Sequence, residues 1–113
     1  MIDPEELGRI AAKMDKPRAL YLGWRQIVDR MDRGKNSVLG EIMRRLASQY
    51  NSAEALKMAA HADPQYVQYL RDMDEAEKKM VKARIELDNL ANHFEALQSM
   101  LAYRRAEMAH ALA

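Results

Sequence analysis

The chain has 113 residues, of which 49% are apolar and 31% charged, with one Phe, one Trp and no Cys. This length predicts one domain. A core of Leu, Met, Ile, Val and Ala favours helix packing over a β-sandwich. The lack of Cys excludes disulfides and thiolate chemistry. With no secretory signal and no apolar run of membrane-span length, we expect a cytoplasmic protein.

The first half of the sequence predicts short helices. Asp3 followed by proline predicts the start of a first helix, which Pro17 ends or kinks. A second helix is predicted to stop at Gly34, because glycine is common just after a helix end. Asn36 or Ser37 can cap a third helix that reaches Tyr50.

Two further helices are predicted in the second half. Ser52 can cap a short fourth helix that ends at about His61. Asp63 and Pro64 then open a fifth, and from Asp63 onwards the chain has no other proline and no glycine. An unbroken helix of this length spans about 73 Å. Such a helix either projects into a multimer or bends back as a hairpin, and the sequence favours projection.

A seven-residue apolar repeat runs through the fifth helix. One series is Met73, Met80, Leu87, Phe94 and Leu101, and Ala76, Ala83, Leu90 and Leu97 alternate with it. A repeat sustained over about five heptads predicts a helix that packs against another helix. We therefore expect self-association through one set of residues: Met73, Met80, Ala83, Leu87, Leu90, Phe94, Leu97 and Leu101.

The predicted fold is all-α and oligomeric, a single domain in which short N-terminal helices (1–62) precede one long C-terminal helix (63–113). The charge is unevenly distributed over these regions, although the net charge is only +1. Residues 9–50 contain ten basic and four acidic residues, whereas residues 51–102 contain six basic and nine acidic ones. A basic half joined to an oligomerisation helix is typical of nucleic-acid-binding proteins.

The basic residues cluster on the predicted second and third helices. Several Arg guanidinium groups along a surface suit the repeated phosphates of a nucleic-acid backbone. Aromatic residues are sparse, which favours salt-sensitive backbone binding, as to single-stranded DNA, over base readout. The candidate nucleic-acid-binding residues are Arg44, Arg45, Arg30, Arg33, Lys35, Arg25 and Arg18.

Signals for catalysis or metal binding are weak. No Gly-rich phosphate loop, nucleophile elbow or Cys-based metal motif occurs in the sequence. Glu107 and His110 form one Glu-x-x-His pair, whereas a di-iron bundle needs two such pairs and two further carboxylates. We therefore predict no enzymatic activity, no metal and no cofactor.

Short motifs in residues 38–108 resemble the UvsY family of phage recombination mediators. Arg44-Arg45-Leu46 with Tyr50 is similar to a motif of that family, and Ala62-Asp63 with Tyr66 and Leu70 also matches it. A long charged helix then carries Leu97-Gln98-Ser99-Met100-Leu101 and Arg104-Arg105. The resemblance implies a ring-like homo-oligomer that binds single-stranded DNA, displaces single-strand-binding protein and helps to load a recombinase or annealing protein. Arg44 and Arg45 would be the main DNA contacts, assisted by Arg30, Arg33 and Lys35.

Two other functions fit the same sequence. A protein-only assembly factor, such as a phage scaffold, an adaptor or a host-enzyme inhibitor, would use the oligomeric helix without a basic surface. A small packaging subunit would use the second and third helices as a helix-turn-helix that reads duplex DNA, with Gly34 in the turn.

Overall fold

The computed structural model describes residues 3–112, which form helices and no strand. This confirms the all-α prediction and the single long C-terminal helix. The elements are α1 (Pro4–Lys13), α2 (Asp15–Leu46), a short 3-10 helix (Ala47–Gln49), α3 (Ala53–Ala62) and α4 (Pro64–Leu112).

The predicted helix starts are confirmed at three polar residues. The carboxylate of Asp3 accepts a hydrogen bond from the Glu5 amide at 3.0 Å, and the Ser52 hydroxyl accepts one from the Ala55 amide at 3.1 Å. Asp63 caps α4 by accepting from the Gln65 amide at 2.9 Å. Each side chain satisfies a backbone donor that the first helical turn leaves free.

The predicted helix end at Gly34 is wrong, because α2 continues through it to Leu46. No glycine within residues 3–112 has a positive φ, so Gly34 does not act as a left-handed cap. Asn36 and Ser37 consequently lie inside α2 and cap nothing. Pro17 is also misplaced in the prediction: α1 already ends at Lys13, and Pro17 is the third residue of α2.

Gly34 serves packing between α2 and α4. A Cβ atom at this position would lie 3.1 Å from the Tyr69 hydroxyl, closer than ordinary van der Waals contact. That hydroxyl is held in place because it donates to the main-chain carbonyl of Met31. The missing side chain therefore lets Tyr69 of α4 reach the backbone of α2.

This contact predicts that the effect of Gly34→Ala depends on Tyr69. In a Tyr69→Phe background, the alanine should raise the free energy of unfolding by about 0.5–1 kcal/mol through its higher helix propensity. In the wild-type background the clash with the hydroxyl should remove that gain. Urea unfolding of the four variants of this cycle measures the coupling. Equal effects of Gly34→Ala in both backgrounds would contradict the packing role.

The chain divides into two compact units, and the division falls inside α2 and inside α4. One unit is Gly23–Met80, and the other, here called the terminal unit, combines Met1–Leu22 with Val81–Ala113. Each unit therefore contains residues from both the predicted short-helix region and the predicted long helix.

Within the 23–80 unit, α2 and α4 run antiparallel. Trp24 contacts Lys79, Met31 accepts a hydrogen bond from Tyr69, and Arg45 pairs with Asp63. Residues with higher numbers in α2 therefore contact residues with lower numbers in α4. The core lies near α3 and consists of Ile42, Leu46, Ala60 and Tyr66, with Ile42 only 1% exposed. Because Ala60 is small and fully buried, α3 can approach this core closely.

In the terminal unit, the buried residues come from α1, the start of α2 and α4. Ile10 of α1 and Pro17 of α2 are buried, as are Ala83, Leu97 and Leu101 of α4. Leu101 is the last covered residue: every described residue from Ala102 to Leu112 is exposed.

All the residues predicted for self-association are buried or half-buried within the single chain. Met73 and Met80 belong to the 23–80 unit, and the others lie in the terminal unit. In the 23–80 unit, α2 supplies the helix that the apolar repeat of α4 requires. Since the same chain covers these side chains, this face of α4 is not a free surface.

Candidate nucleic-acid interface

The candidate surface lies on the part of α2 that belongs to the 23–80 unit. Residues 23–46 contain six basic and three acidic residues, so this segment has a net charge of +3. The five arginines, Arg25, Arg30, Arg33, Arg44 and Arg45, are all exposed. Trp24, Ile27, Met31 and Val38 are half-buried and mark the covered side of the helix.

Arg25, Arg30 and Arg44 form no ion pair with any residue of the described chain. Arg33 donates through Nε to the main-chain carbonyl of Asp29 at 3.3 Å, which leaves its charge without a carboxylate partner. Arg25 and Arg44 are 19 residues apart, or about 28 Å along the helix axis. These four exposed arginines, called the α2 arginine row below, are distributed along this length of the helix.

Arg45 has a structural partner that the sequence analysis did not identify. Its Nη2 donates to Oδ2 of Asp63 at 2.8 Å, and the Asp63 side chain is only 11% exposed. Asp63 also ends α3 and caps α4. Arg45 thus joins the C-terminal end of α2 to the start of α4, so its guanidinium is less available to a ligand than that of Arg44.

The hydrogen bond from Arg45 lowers the pKa of Asp63, and the bond from the Gln65 amide lowers it further. A lowered folded-state pKa means that the ionised carboxylate stabilises the fold above the unfolded-state pKa of about 3.9. That stabilisation disappears as the pH falls through the lowered pKa.

We expect Asp63→Asn to flatten the acid side of the stability curve. Wild-type protein should lose thermal stability as the pH falls below the unfolded-state pKa of about 3.9, because there the unfolded chain takes up a proton at Asp63 that the folded chain does not yet bind. The variant should be less stable at pH 7 and lose less on acidification. Thermal melts from neutral to acid pH measure the stability of both proteins. Asp74→Asn, a change at an exposed carboxylate of α4, is the control. Parallel curves for wild-type and Asp63→Asn would contradict the assigned role.

The two remaining candidate residues, Lys35 and Arg18, each pair with an aspartate of α2. Lys35 Nζ lies 3.9 Å from Oδ1 of Asp32, one turn earlier on α2. Arg18, which belongs to the terminal unit, lies 3.4 Å from Oδ1 of Asp15. Both pairs are largely exposed, and such pairs hold their partners only weakly.

Trp24 is a packing residue of the 23–80 unit. Its ring is half-buried, and the ammonium group of Lys79 lies 4.6 Å from the ring centroid. This cation–π contact occupies a face on which a base could otherwise stack. The 23–80 unit therefore offers guanidinium groups rather than an aromatic platform.

The helix-turn-helix hypothesis is wrong, because α2 has no turn between residues 31 and 37. Within residues 3–112, no group of three or more His, Asp or Glu side chains is placed to hold a metal ion. Across the same residues, no helix combines the length and hydropathy needed to cross a membrane.

Comparisons with known proteins do not assign a family. No protein-family model, no curated protein and no solved structure matches the chain.

Proposed function

We propose that the protein binds single-stranded DNA through the α2 arginine row and acts as a non-enzymatic homo-oligomer. The observation that carries this proposal is the exposed row of four arginines, none of which pairs with a carboxylate in the described chain. All four side chains are exposed, so binding through them would leave the packing of the 23–80 unit intact. Binding would depend on phosphate contacts and on release of counterions.

Single-stranded DNA suits this surface better than duplex DNA read by sequence. Because α2 is uninterrupted, it lacks the turn that places the recognition helix of a helix-turn-helix in the major groove. A flexible single strand can follow a row of arginines on one helix. Several copies of the row in an oligomer would strengthen a weak contact through avidity.

A role as a phage-type recombination accessory protein is a further step of the proposal. Its support is the resemblance of Arg44-Arg45-Leu46 and of the later Asp63 to Arg105 segment to the UvsY family. In that role the protein would help a recombinase or annealing protein to reach DNA covered by single-strand-binding protein. A strand-exchange assay with covered DNA would test this step separately.

Fluorescence anisotropy with a labelled oligo-dT and the matched duplex tests the DNA proposal. We expect saturable binding to the single strand at low salt, weaker binding at moderate salt, and a preference over duplex. No binding at low salt would refute the proposal. Tighter binding to duplex would refute the strand preference.

The second candidate is a protein-only assembly factor, and exposed apolar side chains favour it. Met58 of α3 is 74% exposed and Ile85 of α4 is 52% exposed. Apolar side chains of this kind can anchor a partner protein. A pull-down from nuclease-treated lysate separates the two functions, because partners of an assembly factor persist without nucleic acid.

A further inference from the structure

The C-terminal part of α4 has apolar side chains that the described residues of the chain leave uncovered. Exposure rises from 9% at Leu101 to 67% at Tyr103 and 65% at Met108. Met100 is 52% exposed, and it lines a shallow recess with Ser99, Tyr103, Arg104 and Glu107. All of these residues lie in the terminal unit.

Four residues of this segment share one face of the helix. Met100, Arg104, Glu107 and Ala111 follow a spacing of four, three and four residues, which places them in one stripe. Arg104 and Glu107 carry opposite charges but form no ion pair with each other or with another described residue. The stripe therefore presents a large apolar residue, a cation, an anion and a small residue in that order.

This order is complementary to itself when two copies pair antiparallel. A two-fold axis between Arg105 and Ala106 places Arg104 of one copy opposite Glu107 of the other, and the symmetry creates that pair twice. The same axis places each Met100 opposite the small Ala111 of the other copy. In a parallel, in-register pair, Arg104 would instead face Arg104, which is repulsive.

We propose that residues 100–111 of α4 form an antiparallel dimer contact with a second copy of this chain. This inference rests on the self-association in the proposed function and is independent of its DNA binding. It also moves self-association from the predicted apolar repeat, which the chain itself covers, to the uncovered stripe. The contact is short, so the dimer should be weak and should form only at high protein concentration.

Charge exchange tests the contact by sedimentation equilibrium from about 10 µM to about 1 mM, a range suited to weak association. Wild-type protein should approach twice the 13.0 kDa chain mass. Arg104→Glu should weaken the dimer about tenfold or more, because two symmetric attractions become repulsions. The double variant Arg104→Glu with Glu107→Arg should restore it. Arg105→Glu is the matched control, because Arg105 lies off the stripe and should change little.

Equal effects of Arg104→Glu and Arg105→Glu, or no recovery in the double variant, would overturn the contact even if the protein dimerises. Wild-type protein that stays at 13.0 kDa over the whole concentration range would also overturn the dimer contact. The stripe would then be a candidate surface for binding a different protein. Anisotropy with oligo-dT on the same samples keeps the two proposals apart, because the α2 arginine row belongs to the other unit.

Discussion

Replacing Ile42 with alanine is expected to lower the free energy of unfolding by about 2–5 kcal/mol. Ile42 is 1% exposed and is the only large side chain buried to this extent among the described residues. It packs with Leu46, Ala60 and Tyr66, so its removal leaves a cavity between α2, α3 and α4. Urea unfolding followed by circular dichroism at 222 nm measures the change.

Ile85→Ala is the matched control for this prediction, because it makes the same substitution at a residue that is 52% exposed. Its effect should stay within about 0.5 kcal/mol. Ile42→Val should fall between the two, with a loss of about 0.5–1.5 kcal/mol. An Ile42→Ala effect as small as that of Ile85→Ala would show that α3 does not pack on α2 and α4 as described.

The second large effect concerns DNA binding. Changing Arg25, Arg30 and Arg44 together to alanine should weaken binding to oligo-dT about 100-fold at low salt, since each lost charged contact contributes about 1 kcal/mol or more. The slope of log K against log salt should become shallower by about 2, because about 0.7 is lost per phosphate contact on a single strand. Anisotropy titrations at three salt concentrations give both quantities.

The control for the arginine variant removes the same charge elsewhere. Lys82, Arg84 and Arg105 are exposed residues of α4, and changing all three to alanine lowers the net charge equally. This control should retain most of the affinity, although general electrostatic attraction will fall slightly. If both triple variants lose affinity alike, binding depends on net charge and the α2 arginine row has no special role.

The features that the sequence predicted correctly are those set by neighbouring residues. Asp3, Ser52 and Asp63 cap helices through bonds to amides two or three residues away, and such bonds follow from local sequence. The long α4 was predictable for a similar reason, because no interior proline or glycine interrupts it.

The errors arose where distant residues decide the structure. Gly34 has the local signature of a helix end. In the structure, however, its missing side chain makes room for the hydroxyl of Tyr69, which lies 35 positions further along the sequence. The pairing of Arg45 with Asp63 likewise depends on α3 turning the chain back. The apolar repeat predicted that α4 needs a partner helix, but it could not tell whether that helix belongs to the same chain.

The placement of the candidate surface was only partly predictable. Arg44 and Arg45 are adjacent and looked equivalent, but the fold leaves Arg44 free of ion pairs in the described chain and ties Arg45 to Asp63. From the sequence, Arg25 and Arg30 were weaker candidates for DNA contacts than Arg44 and Arg45. In the structure they resemble Arg44, because they are exposed and form no ion pair within the described chain. One continuous helix carries these residues, whereas the sequence predicted a turn between them.

The most direct test is an NMR titration of isotope-labelled protein with oligo-dT that follows the arginine Nε–H signals. We expect the signals of Arg25, Arg30, Arg33 and Arg44 to shift together at low salt and to return as salt is added. The Arg45 signal should move little, because its guanidinium is bound to Asp63. Shifts confined to arginines of the terminal unit, or no shifts at saturating DNA, would contradict the proposal that α2 binds DNA.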